Sequence, residues 1–446
     1  MAGKKETVYY FFLNLFSKVL TYALLLAFAN LFSVIDYGYA SFALVFYAII
    51  TTIGFPGLTT VFIPYFVKGR DVHSIFYFSG LAAAAMAIGT AIVSLKYPLV
   101  LALAPCFLFT WLSGICRSLL RAEHKYHYMQ ATEILFLATN VVLTVLLRGF
   151  GDYGIIYSFA VSTFVTAVVC VALTWKRLLG VASKPQLVAS TIKDYLIKGI
   201  SVLVLLLSFD VMGRSDSVIL GALSSFENVA RYNIVSAIAG VLTAISMSVS
   251  MFLLTRSSEL EESESGGVFR RSMRITFALN LLSAIALCSV ITPVMAVFFK
   301  QYAGNEAFVA ILAASAIPYA LYLLYITQLT AHLKPENALF SVLVAVGVNV
   351  LLDVVLIPYY GLWGICFATL CASCVGLFLS KTGLGLRAKL LVVSSTLFVF
   401  AAYLLGVAGL LLMLPAVFFV FKAGLLTRED VNAVLDVFKK MLARLI

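Results

Sequence analysis

Charge is what this sequence has least of. Asp, Glu, Lys and Arg make up 11% of its 446 residues, against about 25% in an ordinary soluble domain. With a mean hydropathy of +1.06, that excludes a soluble globular protein, and it excludes disorder, which needs low hydrophobicity and high charge density. Short alternating segments of ~10 residues, the mark of an outer-membrane barrel, are missing too; the apolar stretches run continuously for about twenty residues, the length of a membrane-spanning helix. Catalytic signatures are equally lacking: no HExxH, GxSxG, Walker A loop or DxD occurs. The four histidines, His73, His124, His127 and His332, lie at span ends, away from any intramembrane metal centre. An enzyme is therefore not expected. No convincing cleavable signal is present, because the first apolar run is too long and lacks a small-residue cleavage site, so the first helix is expected to remain.

What is there is a chain that is 63% apolar, enough for roughly 14 spans at ~20 residues each. The expected fold is an all-α polytopic membrane protein with spans near 8–33, 39–66, 73–95, 97–117, 128–148, 153–175, 196–222, 228–255, 273–299, 306–331, 338–357, 361–380, 389–406 and 408–424. The last two are separated only by Gly406 to Gly409 and read equally as a hairpin or as one broken helix. Of the 31 Lys and Arg, only Lys96, Arg148, Arg231 and Lys300 fall in the outside loops and only Lys18 and Arg214 within spans. The rest collect on one side, which by the positive-inside rule places both termini in the cytoplasm of a cell (inner or plasma) membrane. The seven cysteines all fall in apolar stretches, where no extracellular disulfide framework forms, and the Cys371–Cys374 CxxC reads as small core residues.

The chain repeats itself. Asn140-Val-Val-Leu-Thr144 and Asn349-Val-Leu-Leu-Asp353 stand 209 residues apart, Gly154 is matched with Gly361, and a weaker echo links Tyr39 to Tyr232. Helices 1–6 and 7–12 thus read as two parallel copies, an arrangement that places a substrate site between lobes. The expected organisation is a six-helix lobe at 1–175, a basic solvated linker at 176–195, a second six-helix lobe at 196–380, an additional helix pair at 381–424, and a tail at 425–446. In that tail Val431, Val434, Leu435, Phe438, Leu442 and Leu445 recur at helical spacing beside Lys439, Lys440 and Arg444, the pattern of a helix lying on a membrane surface. The stretch 256–272, with Glu259, Glu261, Glu262, Glu264, Arg270 and Arg271, reads as a second solvated loop.

Ionisable residues inside a bilayer cost several kcal/mol and face a bundle interior or a cavity. Lys18 in span 1 and Arg214 in span 7 are repeat-related to within one helical turn, so each lobe contributes a cation at a similar depth. Together with Arg117 and Arg121 at the cytoplasmic exit of span 4, they are candidates to bind an anionic headgroup such as a diphosphate. Asp210, four residues before Arg214, can pair with it along one face; the bland reading of that pair is mutual neutralisation. Asp210, Asp216, Asp353 and Glu133 are candidate coupling-ion or charge-partner residues, with Asp353 and Glu133 read near span ends, where a charge costs less. Gly54, Pro56, Gly57, Pro293 and Pro318 weaken helices and mark expected bends. No metal ligands and no cofactor are expected. Because no ATP-binding domain is seen, Na+, H+, the membrane potential or a substrate gradient would drive transport.

Several stretches, in order along nearly the whole chain, resemble the polysaccharide-flippase (Wzx-type) branch of the MOP exporter superfamily. They are Ser33-Val-Ile-Asp36-Tyr37-Gly38-Tyr39, Gly54-Phe-Pro-Gly-Leu58, Arg214-Ser-Asp216-Ser-Val-Ile-Leu-Gly221, Leu356-Ile357-Pro358-Tyr-Tyr-Gly361-Leu-Trp-Gly364 and Leu426-Thr427-Arg-Glu-Asp430. The resemblance implies a V-shaped, MATE-like transporter of two six-helix lobes with a C-terminal helix pair. It also implies that lipid-linked, typically polyprenyl-diphosphate-linked, oligosaccharide is flipped from the inner to the outer leaflet for polysaccharide assembly. Arg214 and Asp216 match that family's Arg-x-Asp pattern; Lys18 matches by position alone. Expected partners are the lipid-linked saccharide, the bilayer and a polysaccharide polymerase or glycosyltransferase, with no nucleic acid. The rivals are a cation-coupled multidrug exporter on the same fold and a membrane-embedded sugar or lipid transferase.

Overall fold

A computed structural model describes residues 2–55, 62–63, 65–66, 71–95, 98–123, 125–258, 262–332, 336–422, 424–427 and 429. Among them every regular element is helical: α1 Ala2–Leu31, α2 Val34–Gly54, α3 Val72–Val93, α4 Ala104–Ala122, α5 Tyr126–Leu146, α6 Asp152–Ala182, α7 Ala189–Leu223, α8 Phe226–Ser258, α9 Glu262–Phe298, α10 Glu306–Ala331, α11 Glu336–Tyr360, α12 Leu362–Leu379, α13 Leu386–Ser394, α14 Thr396–Leu405 and α15 Met413–Lys422, with short 3-10 turns before α4 and between α14 and α15. In a bilayer a helix satisfies its own backbone, so apolar runs of this length have no competing structure. Eleven described segments are long and apolar enough to cross a membrane. Adding α1, α7 and the return limb of the last segment fills the fourteen spans read from sequence.

Where helices end is set by local chemistry rather than by hydropathy. Ser33 caps α2 by accepting from the Asp36 amide at 3.1 Å, and Asp71 caps α3 by accepting from Ser74 N at 3.1 Å. Span 2 stops early. The ring of Pro56 drives the residue before it out of helical conformation, and Phe55 sits at φ −120°, ψ 60°, so α2 ends at Gly54; Pro56 and Gly57 themselves lie outside the described residues. Pro293 and Pro318 fall inside α9 and α10, which run on through them.

Two stretches expected as solvated loops are largely helix. Most of 176–195 belongs to the end of α6 and the start of α7, and 256–272 to α8 and α9. Lys, Arg, Glu, Leu and Ala favour helix in water as in lipid, so the 37 residues of α9 exceed the ~20 that a bilayer requires. The short connection at 183–188 is tied down as well. Gln186 Nε2 donates to Asp71 Oδ1 at 2.9 Å, and Val188 N donates to Ser74 Oγ at 2.9 Å. Tyr77 donates to Ala182 O at 2.7 Å, and His73 Nδ1 lies 2.7 Å from Val181 O. Burial alone would raise the Asp71 pKa, yet hydrogen bonds from Ser74, Gln186 and Thr191 outweigh it and hold the carboxyl below its ordinary range.

By compactness the chain divides into Met1–Gly221 with Ser225–Ala230, and Ala222–Ser224 with Arg231–Ile446. The division falls at the α7–α8 junction. In the first unit α5 packs on α1 and α6, and α4 on α3 and α6; in the second α12 packs on α10 and α11, and α9 on α10 and α14. The terminal segment is a hairpin: Gly406 turns the chain at φ 57°, and Phe398 of α14 meets Phe419 of α15 with ring centroids 5.5 Å apart. Lys389 on α13 donates to the Phe378 and Ser380 carbonyls at 2.9 and 2.5 Å, capping the end of α12 with a cation, where the helix dipole favours one. Cys371 is exposed and Cys374 half-buried, so the CxxC lies on an outer face of α12 instead of in the core, because i and i+3 share one side of a helix. The proposed amphipathic tail at 430–446 lies outside the described residues.

Candidate functional site

The charged candidates of the first unit sit on four helices. On α1, Ser17 is buried and accepts from Gln130 Nε2 of α5 at 3.1 Å. Lys18 follows it in α1, its side chain outside the described residues. Arg117 on α4 is half-buried, and its Nε donates to Thr132 Oγ1 of α5 at 3.3 Å. Arg121, in the last turn of α4, is exposed and placed where a helix end favours positive charge. Beyond it, Glu123 bridges Lys125 at 2.8 Å and Arg177 of α6 at 2.7 Å. Lys125 first, with Arg177, holds the Glu123 carboxyl below its ordinary range against the opposing effect of burial. Arg117, Arg121, Lys125 and Arg177 thus share one end of the α4–α6 group, with Glu123 tying two of them together.

On α7, Arg214 is half-buried and Asp216 has no exposed surface. The Asp210 side chain lies outside the described residues, so its pairing with Arg214 is an expectation the structure leaves open. A half-buried guanidinium offers a planar fork of donors that matches a phosphate bidentately. Glu133 on α5 is exposed.

The repeat can be followed atom by atom in the helix pairs α5–α6 and α11–α12. Thr144 Oγ1 on α5 lies 3.4 Å from Asn140 Oδ1 and 3.1 Å from Ser158 Oγ on α6. On α11, Asn349 Nδ2 donates to Asp353 Oδ2 at 2.9 Å, and both residues are fully buried. Asp353 lies about two turns before the end of α11, and its carboxyl sits inside the packed helix pair. The turn glycines also re-pair. Gly151 (φ 58°, ψ −136°) and Gly361 (φ 53°, ψ −124°) adopt one conformation and open α6 and α12, so Gly361 corresponds to Gly151, and Gly154 to Gly364. A Cβ at Gly154 would stand 2.3 Å from Leu147 O and one at Gly364 2.8 Å from Leu356 O. The terminal hairpin repeats the device: Gly406 sits at φ 57°, ψ −138°, and a Cβ at Gly409 would meet Ala402 O at 2.5 Å.

Neither a protein-family model nor a curated protein matches the sequence. Solved structures do. The lipid II flippase MurJ in its inward closed conformation superposes with a TM-score of 0.72 at 14% identity, over 94% of this chain and 98% of that one. The fold is that of the MOP-superfamily transporters. A multidrug-resistance MATE transporter of the MOP superfamily in its inward-facing conformation matches with a TM-score of 0.64 at 14% identity, over 86% of this chain and 95% of its own. A MOP-superfamily transporter from Pyrococcus furiosus, described as having a binding pocket of reversed polarity, matches with a TM-score of 0.50 at 14% identity, over 83% and 92%. At these identities the likeness is one of fold. Within the MOP fold, Glu123, Gln130 and Lys389 are the polar residues that sequence reading passed over; each interrupts or borders an apolar run, which is the signal that could have found them.

Proposed function

We propose that this protein is a flippase that moves polyprenyl-diphosphate-linked oligosaccharide from the cytoplasmic to the outer leaflet by alternating access, for cell-surface glycan assembly. The observation that carries the reading is the near full-length match to the lipid II flippase MurJ, with a TM-score of 0.72 over 94% of the chain. The inward-facing MATE transporter superposes less closely, with a TM-score of 0.64 over 86% of the chain. The half-buried Arg214 supplies fixed positive charge for a diphosphate that has lost its water, with Lys18, Arg117 and Arg121 as the other headgroup cations. Coupling to Na+, H+ or membrane potential would act through Asp210, Asp216, Asp353 or Glu133. The protein would lie in the cell membrane with both termini cytoplasmic and hand its product to a polymerase or glycosyltransferase.

A cation-coupled multidrug exporter is the second reading, favoured by the MATE likeness and by the fully buried Asp216 and Asp353, since buried carboxylates attract cationic compounds. Exchange of a fluorescent short-chain polyprenyl-diphosphate sugar between leaflets of proteoliposomes tests the choice: the flippase reading expects exchange, and export of a cationic dye without it would replace that reading.

A further inference from the structure

In the second unit, α8 and α9 form an antiparallel hairpin whose register is fixed by one bond, Asn280 Nδ2 donating to Ser246 Oγ at 3.1 Å. One turn away on each helix, Ser250 and Thr276 fall in the next layer of the same seam, because residues four apart share a helix face and antiparallel partners run in opposite directions. All four residues are buried, with Ser246, Thr276 and Asn280 at 0% exposure and Ser250 at 7%. Three of their oxygens, Ser250 Oγ, Thr276 Oγ1 and Asn280 Oδ1, have no hydrogen-bond partner. Ser250 and Thr276 differ in this from other buried serines and threonines of the described helices. Ser79, Ser162, Thr166, Thr174, Ser289 and Ser373 each donate back to the carbonyl four residues earlier in their own helix, the usual way a hydroxyl is satisfied in an apolar helix. A buried polar atom without a partner is costly, and three in one seam call for a common guest.

The chemistry of that guest follows from what is spent and what is left. The Asn280 amide nitrogen is already committed to Ser246 Oγ and to Thr276 O at 2.9 Å, so the open positions are oxygens, the ligands a hard cation takes. None is charged, so a divalent ion would bring two uncompensated charges into a low-dielectric interior, where a single charge is far cheaper. Arg274, two residues before Thr276, stands about 200° around α9 from it and so is off this face. We propose that the α8–α9 seam is a sodium site built from the neutral oxygens of Ser246, Ser250, Thr276 and Asn280, separate from the carboxylate of Asp353.

The site is tested by binding alone, so it stands or falls independently of the flippase reading. Purified full-length protein is assayed for radioactive Na+ binding, and for melting temperature in NaCl against choline chloride at equal ionic strength. Each assay is run in the wild type and in Asp353→Asn, so that sodium held by that carboxylate is scored apart. The isosteric pair Ser250→Ala/Thr276→Val and the single change Asn280→Leu are compared in both backgrounds. The expected result is a melting temperature raised by NaCl and not by choline, as ligand linkage requires, with Na+ affinity falling at least about tenfold in the variants. Because the double variant removes two hydroxyls that lack partners, its melting temperature in choline should equal or exceed the wild type, which shows it is folded. Unchanged Na+ binding in both variants, or equal stabilisation by Na+ and choline, overturns the proposal.

Discussion

The α2–α3 pair of the first unit and the α8–α9 pair of the second occupy equivalent places in the repeat, and both open on a serine cap: Ser33 Oγ accepts from Asp36 N at 3.1 Å, Ser225 Oγ from Asn228 N at 3.2 Å. Past that shared start they diverge. Met86 of α3 lies so close on Gly54 that a Cβ there would stand 2.2 Å from its sulfur, a dry contact of flexible thioether on bare backbone, whereas α8 and α9 meet through Ser246 and Asn280. The α5–α6 and α11–α12 pairs differ in the same sense, with neutral Thr144 in one where Asp353 stands in the other. The six-helix plan thus keeps its caps and turns in both copies, while α8 and α9 meet through a polar pair and α11 buries a carboxylate where α5 has Thr144. Half-buried guanidinium groups stand in both units, Arg117 and Arg214 in the first and Arg231 and Arg274 in the second, and the first also holds the fully buried Asp216. In the proposed function the anionic headgroup falls to guanidinium groups such as Arg214, and a coupling cation to buried oxygens such as those of Asp353 and the Ser246–Asn280 seam.

Removing Arg214 should have the largest effect. Arg214→Ala is expected to cut leaflet exchange by about 10²-fold, the usual cost of losing one partner of a desolvated charge pair, with normal membrane insertion; exchange at the wild-type rate would dissolve the anion-side assignment. Next come the turn glycines, where the two units should behave alike. Gly154→Ala and Gly364→Ala each force a Cβ onto a backbone carbonyl, and each should cost ~1–3 kcal/mol of stability from overpacking, read as a lowered melting temperature. A loss confined to one unit would mean the turns are not equivalent. Asp353→Leu strands the buried Asn349 amide and should cost ~1–3 kcal/mol, while Thr144→Val should cost ~1 kcal/mol or less; equal shifts would erase the polar asymmetry.

The smallest effect is electrostatic. The Glu123 carboxyl is held below its ordinary range by Lys125 and Arg177, so its contribution is complete above the unfolded carboxylate pKa and is lost as pH falls through the lower folded value. At an exposed site this is worth under ~1 kcal/mol. A melting-temperature profile against pH should therefore lose a slight acid-side slope in Glu123→Gln.

Fold class and span number were legible because uninterrupted apolar runs leave a bilayer segment no structure but helix. The limits of helices were not: hydropathy marks where lipid ends, while Ala189–Leu223 and Glu262–Phe298 continue in residues that are helical in water too. The repeat was visible in Asn140 and Asn349, yet Gly361 was matched with the wrong glycine, since Gly151 and Gly154 are the same letter and only positive φ tells them apart. Arg214, Asp216 and Asp353 stood out as charges in apolar runs. The Ser246–Asn280 seam was silent, because serine, threonine and asparagine in such runs ordinarily satisfy themselves against their own helix, and nothing in the letters shows which ones do not.

The direct measurement of what the protein moves is leaflet exchange of a fluorescent polyprenyl-diphosphate sugar and of a cationic dye in the same proteoliposomes, for wild type, Lys18→Ala and Arg214→Ala. Sugar-lipid exchange that depends on both cations, with the dye left where it started, is the predicted result; dye movement with no sugar-lipid exchange would contradict it.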